Sequence, residues 1–256
     1  MVTRPKGTQD IYSDAWIYRF IENSFLTIAK NFGYKEIRTP IFECASLFKL
    51  SIGASTDVVK KELYQFQDKS NRDLALRPEG TTPVVRAFIE NNLYVQNESS
   101  KFFYMANMFR YERPQKGRRR EFRQLGIECI GLANSFAVVE SIILANSFLK
   151  SINVTDYKIV INSLGLQQDR KKYTEELKKY FKNKLDTLCS DCKVRFEANP
   201  LRLLDCKVDS VAFQAPNISS FICEESQQEY NEVKELLKKA NIDFVEDSSL
   251  VRGLDY

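Results

Sequence analysis

The alternation of apolar and polar residues is clearest between residues 102 and 131, where two runs repeat with a period of two. That period predicts two β-strands, each with a packing face and a polar face. The packing faces hold Phe103, Met105 and Phe109, then Leu125 and Ile127, and the opposite faces hold Arg110 and Glu112, then Gln124, Gly126 and Glu128. Polar groups on a half-buried sheet need partners, so either a ligand or solvent covers these faces.

The segment between the two runs is unusually basic. Pro114 and Gly117 indicate a turn, and five cations crowd around it: Arg113, Lys116, Arg118, Arg119 and Arg120. Such a concentration of charge favours an anionic ligand, although a solvated surface loop has the same composition.

Helical spacing of apolar residues predicts most of the other elements. Ser13 or Asp14 can cap a first helix that ends at Gly33, and a strand over 34–42 follows, with Pro40 confining it to an edge, bulge or interface. The further expected elements are a hairpin of 63–67 with 73–76, helices over 82–89, 136–149, 168–188 and 226–240, and a strand over 157–161. The Lys/Glu-rich faces of the last two helices are typical of solvated surfaces.

Composition limits the class of protein. The chain has 256 residues, 43% of them hydrophobic, and a net charge of +4, so it can bury a sizeable core and permits an RNA partner without requiring one. We expect a cytoplasmic protein with no membrane association, because no stretch approaches a membrane span and the N-terminus lacks an apolar signal core.

Cysteine and histidine usage restricts the chemistry. There are six cysteines and no histidine, which excludes histidine-dependent triads and imidazole bases within this chain. Cys189 and Cys192 form a CxxC, and Cys206 and Cys223 could complete four thiolates. These last two lie far apart, however, so we expect unligated thiols and no metal bound by the protein.

Three blocks carry a resemblance to a known family. The run from Phe109 through Glu128 resembles motif 2 of class II aminoacyl-tRNA synthetases, and of the histidyl-tRNA synthetase family in particular. Residues 76–81, Leu-Arg-Pro-Glu-Gly-Thr, resemble that family's loop for the substrate's amino group. Residues 250–256, Leu-Val-Arg-Gly-Leu-Asp-Tyr, resemble the start of its histidine-specific motif.

The resemblance implies an α+β fold with an antiparallel sheet flanked by helices. It places a class II catalytic core at 1–165, a small helix-rich insertion at 166–245 and a return to the core at 246–256. Residues 13–42 resemble motif 1, which implies a homodimer. The implied activity is ATP-dependent conversion of L-histidine to histidyl-adenylate, with transfer to histidine tRNA and with Mg²⁺ accompanying ATP.

The same resemblance assigns site residues. It implies catalytic roles for Arg110 and Arg252, where Arg110 bridges the substrate carboxylate and the α-phosphate. The residues implied to bind histidine are Glu79, Gly80, Thr81, Arg110, Gln124, Glu128, Arg252 and Tyr256, with Glu128 reading the imidazole. Those implied to bind ATP are Arg110, Glu112, Arg118 and Phe122, with Phe122 stacking on adenine. From the residues alone, Glu79 to Thr81 could equally be a simple capping loop.

Two further expectations concern the alternative function and the end of the chain. The alternative function is that of the synthetase paralogue that regulates ATP phosphoribosyltransferase in histidine biosynthesis. Such paralogues usually have degraded ATP motifs, whereas this chain keeps Arg110 and Arg252. The chain also stops at Tyr256, before the family's motif 3 and anticodon domain. We therefore expect a fragment that is inactive by itself.

Overall fold

A computed structural model describes the chain in two compact units. The first comprises the chain up to Ala133 together with Glu140–Thr155, and the second comprises Asn134–Val139 and the chain from Asp156. The described residues are 2–53, 58–96, 99–204, 206, 208–209 and 214–251.

Helices and strands are mixed along the described residues, as an α+β chain requires. The helices are α1 (Ala15–Asn31), α2 (Ala45–Phe48), α3 (Thr81–Glu90), α4 (Leu93–Gln96), α5 (Ser135–Ser151), α6 (Gln167–Lys182), α7 (Ser190–Ala198) and α8 (Glu224–Lys239). The strands are β1 (Lys35–Glu36), β2 (Phe42–Cys44), β3 (Gln65–Gln67), β4 (Asp73–Leu76), β5 (Ser100–Phe109), β6 (Glu121–Ile130), β7 (Val160–Ile161) and β8 (Val245–Glu246).

The central feature of the first unit is the antiparallel pair β5 and β6. Their ladder runs from Ser100 opposite Ile130 to Phe109 opposite Glu121, and β1 adds to the other edge of β5 in parallel. The predicted strands and their connecting loop are confirmed. The first strand ends at Phe109, so Arg110 and Glu112 lie in the loop and not on the polar face of the strand as predicted.

The two faces of this sheet pack against different partners. The predicted packing face, with Phe103 fully buried, joins Phe25 and Ala29 of α1 and Leu144 of α5 in one apolar cluster. On the opposite face, Tyr104 and Met108 cluster with Val84 of α3. The polar residues of β6 therefore share a half-covered face with α3.

The first helix has the predicted boundaries. It begins after Asp14, and Gly33 follows its end at φ +79°, a left-handed conformation that glycine adopts without strain. Phe25 is buried, whereas Trp16 and Phe20 are 68% and 45% exposed. The apolar stripe read from the sequence is thus covered only toward the C-terminal end of the helix.

The predicted strand over 34–42 is wrong as a single element. It divides into β1 and β2, which belong to different sheets. Pro40 has no N–H to give to a ladder. The buried guanidinium of Arg77 instead meets this segment: its Nη1 donates to the carbonyl of Thr39 at 2.8 Å and to that of Pro40 at 3.2 Å, while its Nε donates to the carbonyl of Asn107 at 2.9 Å.

The remaining elements of the first unit follow the pattern. Strands β3 and β4 form the predicted antiparallel hairpin, and β2 pairs with the other edge of β4. Helix α3 covers the predicted 82–89, and α5 covers 136–149. The strand predicted over 157–161 is shorter, since only Val160–Ile161 pairs, in parallel with Val245–Glu246.

The second unit has a separate core. Tyr173, Leu177 and Phe181 lie four residues apart on α6 and are all buried in it, so the charged positions between them face outward. Asp169 is buried as well, and its carboxylate accepts hydrogen bonds from the backbone N–H of Leu166 at 3.0 Å and the hydroxyl of Ser226 at 2.7 Å. Among the described residues, no helix is long and apolar enough to cross a membrane.

We expect Arg77→Met to lower the free energy of unfolding by about 3 kcal/mol, because three carbonyls would lose a charged donor in a buried place. Arg72→Met is the matched control, since Arg72 is 75% exposed and forms its ion pair with Asp68 across the turn. Urea unfolding of both variants measures the difference. Equal stability of the two variants would contradict a fold-organising role for Arg77.

Candidate functional site

A pocket of linked polar side chains lies on the β6 face that α3 partly covers. Glu79 and Thr81 come from the loop and first turn of α3, Tyr104 from β5 and Glu128 from β6. The Thr81 hydroxyl donates to Glu128 Oε1 at 2.8 Å, which joins the helix to the sheet. The structure thus brings together two stretches that lie 47 residues apart in the chain.

The Glu79 carboxylate is fixed by the N-terminus of α3. It is 4% exposed and accepts hydrogen bonds from the backbone N–H of Thr81 at 2.6 Å and of Thr82 at 3.0 Å. The helix dipole stabilises a negative charge at this position. The capping role that the sequence left open is therefore real, and it holds the carboxylate in one orientation beside Glu128.

Tyr104 lies at the centre of the pocket between two glycines. A Cβ on Gly80 would lie 2.2 Å from the Tyr104 Cζ, and one on Gly126 would lie 2.3 Å from it. Neither position can hold a side chain while the ring is there. Sequence reasoning missed Tyr104, although a glycine within a predicted strand signals a close approach of another group, and Gly126 pairs with Tyr104 across the ladder.

The electrostatics of the pocket are negative. Burial raises the pKa of Glu128, and the charge of Glu79 adds to the rise, while hydrogen bonds from Thr81 and Tyr104 oppose it. Burial, followed by the charges of Glu128 and Glu79, also raises the pKa of the Tyr104 hydroxyl. A cationic ligand with hydrogen-bond donors would relieve both effects.

Gln124 lies on the same face of β6, two and four residues before Gly126 and Glu128. Its Oε1 is buried and has no hydrogen-bond partner among the described residues. An unsatisfied buried acceptor of this kind costs about 1–3 kcal/mol. A ligand donor would satisfy it, which supports the predicted place of Gln124 in a binding site.

Arg110 links the end of β5 to the same loop. Its Nε donates to the carbonyl of Pro78 at 2.9 Å, and its Cζ lies 5.5 Å from the centre of the Phe122 ring. No carboxylate pairs with this guanidinium in the part of the chain that the structure describes. Its outer nitrogens can therefore meet an anion beside Phe122.

The basic loop after Arg110 is only partly available to a ligand. Arg118 pairs with Glu112 at 3.3 Å, and the Arg120 guanidinium stacks 3.8 Å from the centre of the Tyr111 ring. Of the five cations in this segment, these two therefore have partners within the loop. The other three are exposed, and none has an ion-pair partner among the described residues: Arg113, Lys116 and Arg119.

Two predicted residues cannot be placed. Arg252 and Tyr256 lie outside the described residues. A cleft of about 630 Å³ also opens at the Glu121 end of β6, lined by residues that include Glu22, Phe122 and Arg123. It touches the predicted site only at Phe122, because Arg123 and Glu128 project from opposite faces of the strand.

Sequence comparison places these features in a family. Residues 7–256 match the histidyl-tRNA synthetase family. Among curated proteins, the chain is 50% identical over 258 aligned residues to the histidine–tRNA ligase of Thermosipho melanesiensis, covering 100% of this chain and 62% of that protein. It is 48% identical over 255 residues to that of Thermotoga maritima, covering 99% and 61%. The chain thus spans about three fifths of these relatives.

Solved structures give a consistent picture. Apo histidyl-tRNA synthetase from S. aureus superposes with a TM-score of 0.80 at 38% identity, covering 100% of this chain and 59% of that one. An ATP phosphoribosyltransferase regulatory subunit/histidyl-tRNA synthetase from Bacillus halodurans has a TM-score of 0.68 at 21% identity, covering 100% and 70%. The second likeness shows the fold alone.

We expect Glu128→Gln to raise the melting temperature at pH 7. A carboxylate whose folded pKa is raised contributes stability below its unfolded pKa and loses it as the pH rises through the folded value. Glutamine keeps an acceptor for Thr81 without the buried charge. The advantage should therefore shrink toward pH 4. Thermal melts from pH 4 to 8 test this, with the exposed Glu175→Gln as control, and an unchanged or lower melting temperature at pH 7 would refute it.

Proposed function

The chain belongs to the histidyl-tRNA synthetase family, and we propose that it carries the histidine- and ATP-binding part of a histidine–tRNA ligase. The reaction forms histidyl-adenylate from L-histidine and ATP with release of pyrophosphate, and then transfers the histidyl group to its tRNA with release of AMP. The observation that carries the proposal is an arrangement within one unit. Buried Glu79 and half-buried Glu128 form a dicarboxylate pocket, and the Arg110 guanidinium has no carboxylate partner among the described residues.

The dicarboxylate pocket suits histidine. The α-ammonium and the imidazole N–H groups are donors. The pocket supplies as acceptors Glu79, Glu128 and the Gln124 Oε1, which has no hydrogen-bond partner among the described residues. In this scheme, Glu128 reads the imidazole, and Thr81 and Tyr104 hold its carboxylate in place. A site built from such acceptors discriminates against analogues that lack the donors by about 10⁴–10⁵.

Arg110 supplies positive charge where the two substrates react. The histidine carboxylate must approach the α-phosphorus of ATP, and both groups are anionic. At about 4 Å and an effective dielectric near 20, one cation contributes roughly 4 kcal/mol toward each charge before desolvation. The planar fork of arginine can meet carboxylate and phosphate oxygens together. We propose that Phe122, whose ring centre lies 5.5 Å from the Arg110 Cζ, stacks on adenine. Arg252 is proposed to assist beside the phosphate.

The residues near Arg110 also fit a magnesium ion carried by ATP. Mg²⁺ binds substrate phosphates and usually one or two carboxylates while it keeps several waters. Glu112 is a half-buried carboxylate on this loop, and its partner Arg118 is 64% exposed and can move aside. The ion would supply further neutralisation of phosphate charge. Gly80 and Thr81 shape the pocket wall, and Arg118 would turn to the phosphates.

Acyl transfer to tRNA needs a general base. That base is not an imidazole of this chain, because the chain has no histidine. A phosphate oxygen of the adenylate is the proposed base. The exposed cations Arg113, Lys116 and Arg119 would meet the phosphates of the acceptor end of the tRNA.

We also propose that the protein is cytoplasmic and forms a homodimer, in keeping with the likeness of residues 13–42 to motif 1. In this proposal, residues 166–245 are an insertion in the catalytic core.

The regulatory paralogue of ATP phosphoribosyltransferase remains the second candidate, since the Bacillus halodurans protein has the same fold. A regulatory subunit that forms no adenylate does not need a cation beside the proposed adenine site. Arg110 and Phe122 therefore favour the ligase. Histidine-dependent exchange of pyrophosphate into ATP separates the two, because only a ligase forms the adenylate.

We expect Arg110→Gln in the intact polypeptide that carries these residues to lower histidine-dependent pyrophosphate exchange by about 100-fold or more, because a group that stabilises developing charge is lost. Arg72→Gln, on the exposed turn, is the control and should exchange normally. If the parent protein shows no exchange, the ligase proposal fails. If Arg110→Gln shows pyrophosphate exchange at the parental rate, Arg110 is not a catalytic residue.

We expect Glu128→Gln to weaken histidine binding by about 10- to 100-fold and to leave ATP affinity unchanged, since one charge-assisted hydrogen bond contributes about 1.5–3 kcal/mol. Calorimetric titration with each substrate measures both. Equal histidine affinity in parent and variant would remove Glu128 from the imidazole site, and a parallel loss of ATP affinity would indicate general disruption of the pocket.

A further inference from the structure

Three cysteines and one aspartate meet in the second unit, and none of them has a role in the proposed function. The candidate ligand atoms of Cys189, Cys192, Cys206 and Asp209 all lie within 4.8 Å of one another. The Sγ atoms of Cys189 and Cys206 are 3.8 Å apart, and Cys206 Sγ lies 3.6 Å from Asp209 Oδ2. We propose that these four side chains bind one zinc ion.

The distances fit tetrahedral zinc. With Zn–S bonds of about 2.3 Å, the edge between two sulfurs of a tetrahedron is about 3.8 Å; with a Zn–O bond of about 2.1 Å, the edge between sulfur and oxygen is about 3.6 Å. The 3.8 Å separation of Cys189 Sγ from Cys206 Sγ and the 3.6 Å separation of Cys206 Sγ from Asp209 Oδ2 match these edges. The longest separation, 4.8 Å at most, needs a contraction of about 1 Å, which rotation of a cysteine or aspartate side chain can supply.

The backbone around the cluster already orients the ligands. Cys189 is the N-cap of α7, and its N–H donates to the two oxygens of Asp209 at 3.3 and 3.2 Å. The Val208 N–H donates to Cys206 Sγ at 3.4 Å. Hydrogen bonds of this kind hold thiolate and carboxylate ligands in place and offset their charge. Cys189 and Cys192 at the start of α7 therefore supply two ligands, and Cys206 and Asp209 supply the other two.

The surroundings favour a closed structural site. Cys192 is fully buried and Cys206 is 6% exposed, and both belong to the apolar core that also contains Leu188, Phe196 and Leu201. Four protein ligands leave no position for a substrate, and three soft thiolates select zinc over magnesium or calcium. The ion would fasten α7 to the segment after Leu203 within one small core.

The sequence alone favoured unligated thiols, with Cys223 as the possible fourth ligand. The structure instead places the Cys223 thiol 3.3 Å from Ser226 Oγ and 3.9 Å from Gln168, outside the cluster. Asp209 takes the fourth position. A disulfide between Cys189 and Cys206 is the competing state, but it would leave Cys192 and Asp209 without a common partner.

The test begins with metal content. The protein, purified under reducing conditions without chelators from zinc-supplemented medium, should contain one zinc per chain by mass spectrometry of the metal. Cys206→Ser and Asp209→Asn should each lower this content or weaken zinc affinity by at least tenfold in competition with a chromophoric chelator. Cys223→Ser, a thiol of the same unit outside the cluster, should retain one zinc and is the matched control.

Cobalt substitution supplies a readout that does not depend on activity. Co²⁺ bound in the site should give thiolate charge-transfer bands and the d–d bands of tetrahedral coordination. The charge-transfer bands should be weaker in Cys192→Ser. Metal binding should also release protons from the thiols. Zinc removal should lower the melting temperature. Asp209→Asn, which keeps the backbone contacts sterically possible, covers the case in which a cysteine variant does not fold.

Several results would overturn the proposal. A metal-free parent protein that neither takes up Zn²⁺ nor gives tetrahedral cobalt bands rules out the site. Equal zinc content together with equal zinc affinity in Cys206→Ser and Cys223→Ser rules out these ligands, and an intact disulfide of Cys189 in the protein isolated without reductant identifies the competing state. None of these outcomes depends on pyrophosphate exchange, so the ligase proposal stands or falls separately.

Discussion

The antiparallel ladder between β5 and β6 is the constraint on which the candidate site depends. Its register places Gly126 opposite Tyr104 and Glu128 opposite Phe102, and its end at Phe109 places Arg110 beside Pro78. Because side chains alternate across a strand, a slip of one residue would turn Glu128 into the apolar cluster under α1 and expose Ile127. The burial of Phe103 against Phe25 therefore fixes the positions of the polar groups on the other face.

The polar groups on the other face lower the stability of the protein, and the fold itself does not require them there. Glu79 and Glu128 lie near one another, partly removed from water, and Gln124 Oε1 is buried without a partner in the described chain. The α3 N-terminus offsets the charge of Glu79, and Thr81 offsets part of that of Glu128. A bound ligand with cationic hydrogen-bond donors can offset the destabilisation that is left. For this reason binding sites are often less stable than the structure around them.

The second unit distributes its stability differently. Among the described residues, its core is built on α6, α7 and the turns after α7, and Cys192 and Cys206 of the proposed zinc site belong to that core. Small cores are limited in the apolar area they can bury, and a bound metal is one established means of adding stability. A zinc ion there would act on folding, whereas the dicarboxylate pocket acts on ligands.

The sequence alone determined the elements whose signals are local. The alternation of β5 and β6, the ends of α1 at Asp14 and Gly33, and the three motif blocks needed no tertiary information, because period, capping and residue identity are properties of short segments. Tertiary structure decided the rest. Pro40 and the guanidinium of Arg77 divide a predicted strand, Arg118 and Arg120 find partners inside their own loop, and Tyr104 takes the space left by Gly80 and Gly126. The choice of Asp209 over Cys223 is of the same kind, since it rests on contacts between residues distant in the chain, and no local pattern encodes which distant groups will meet.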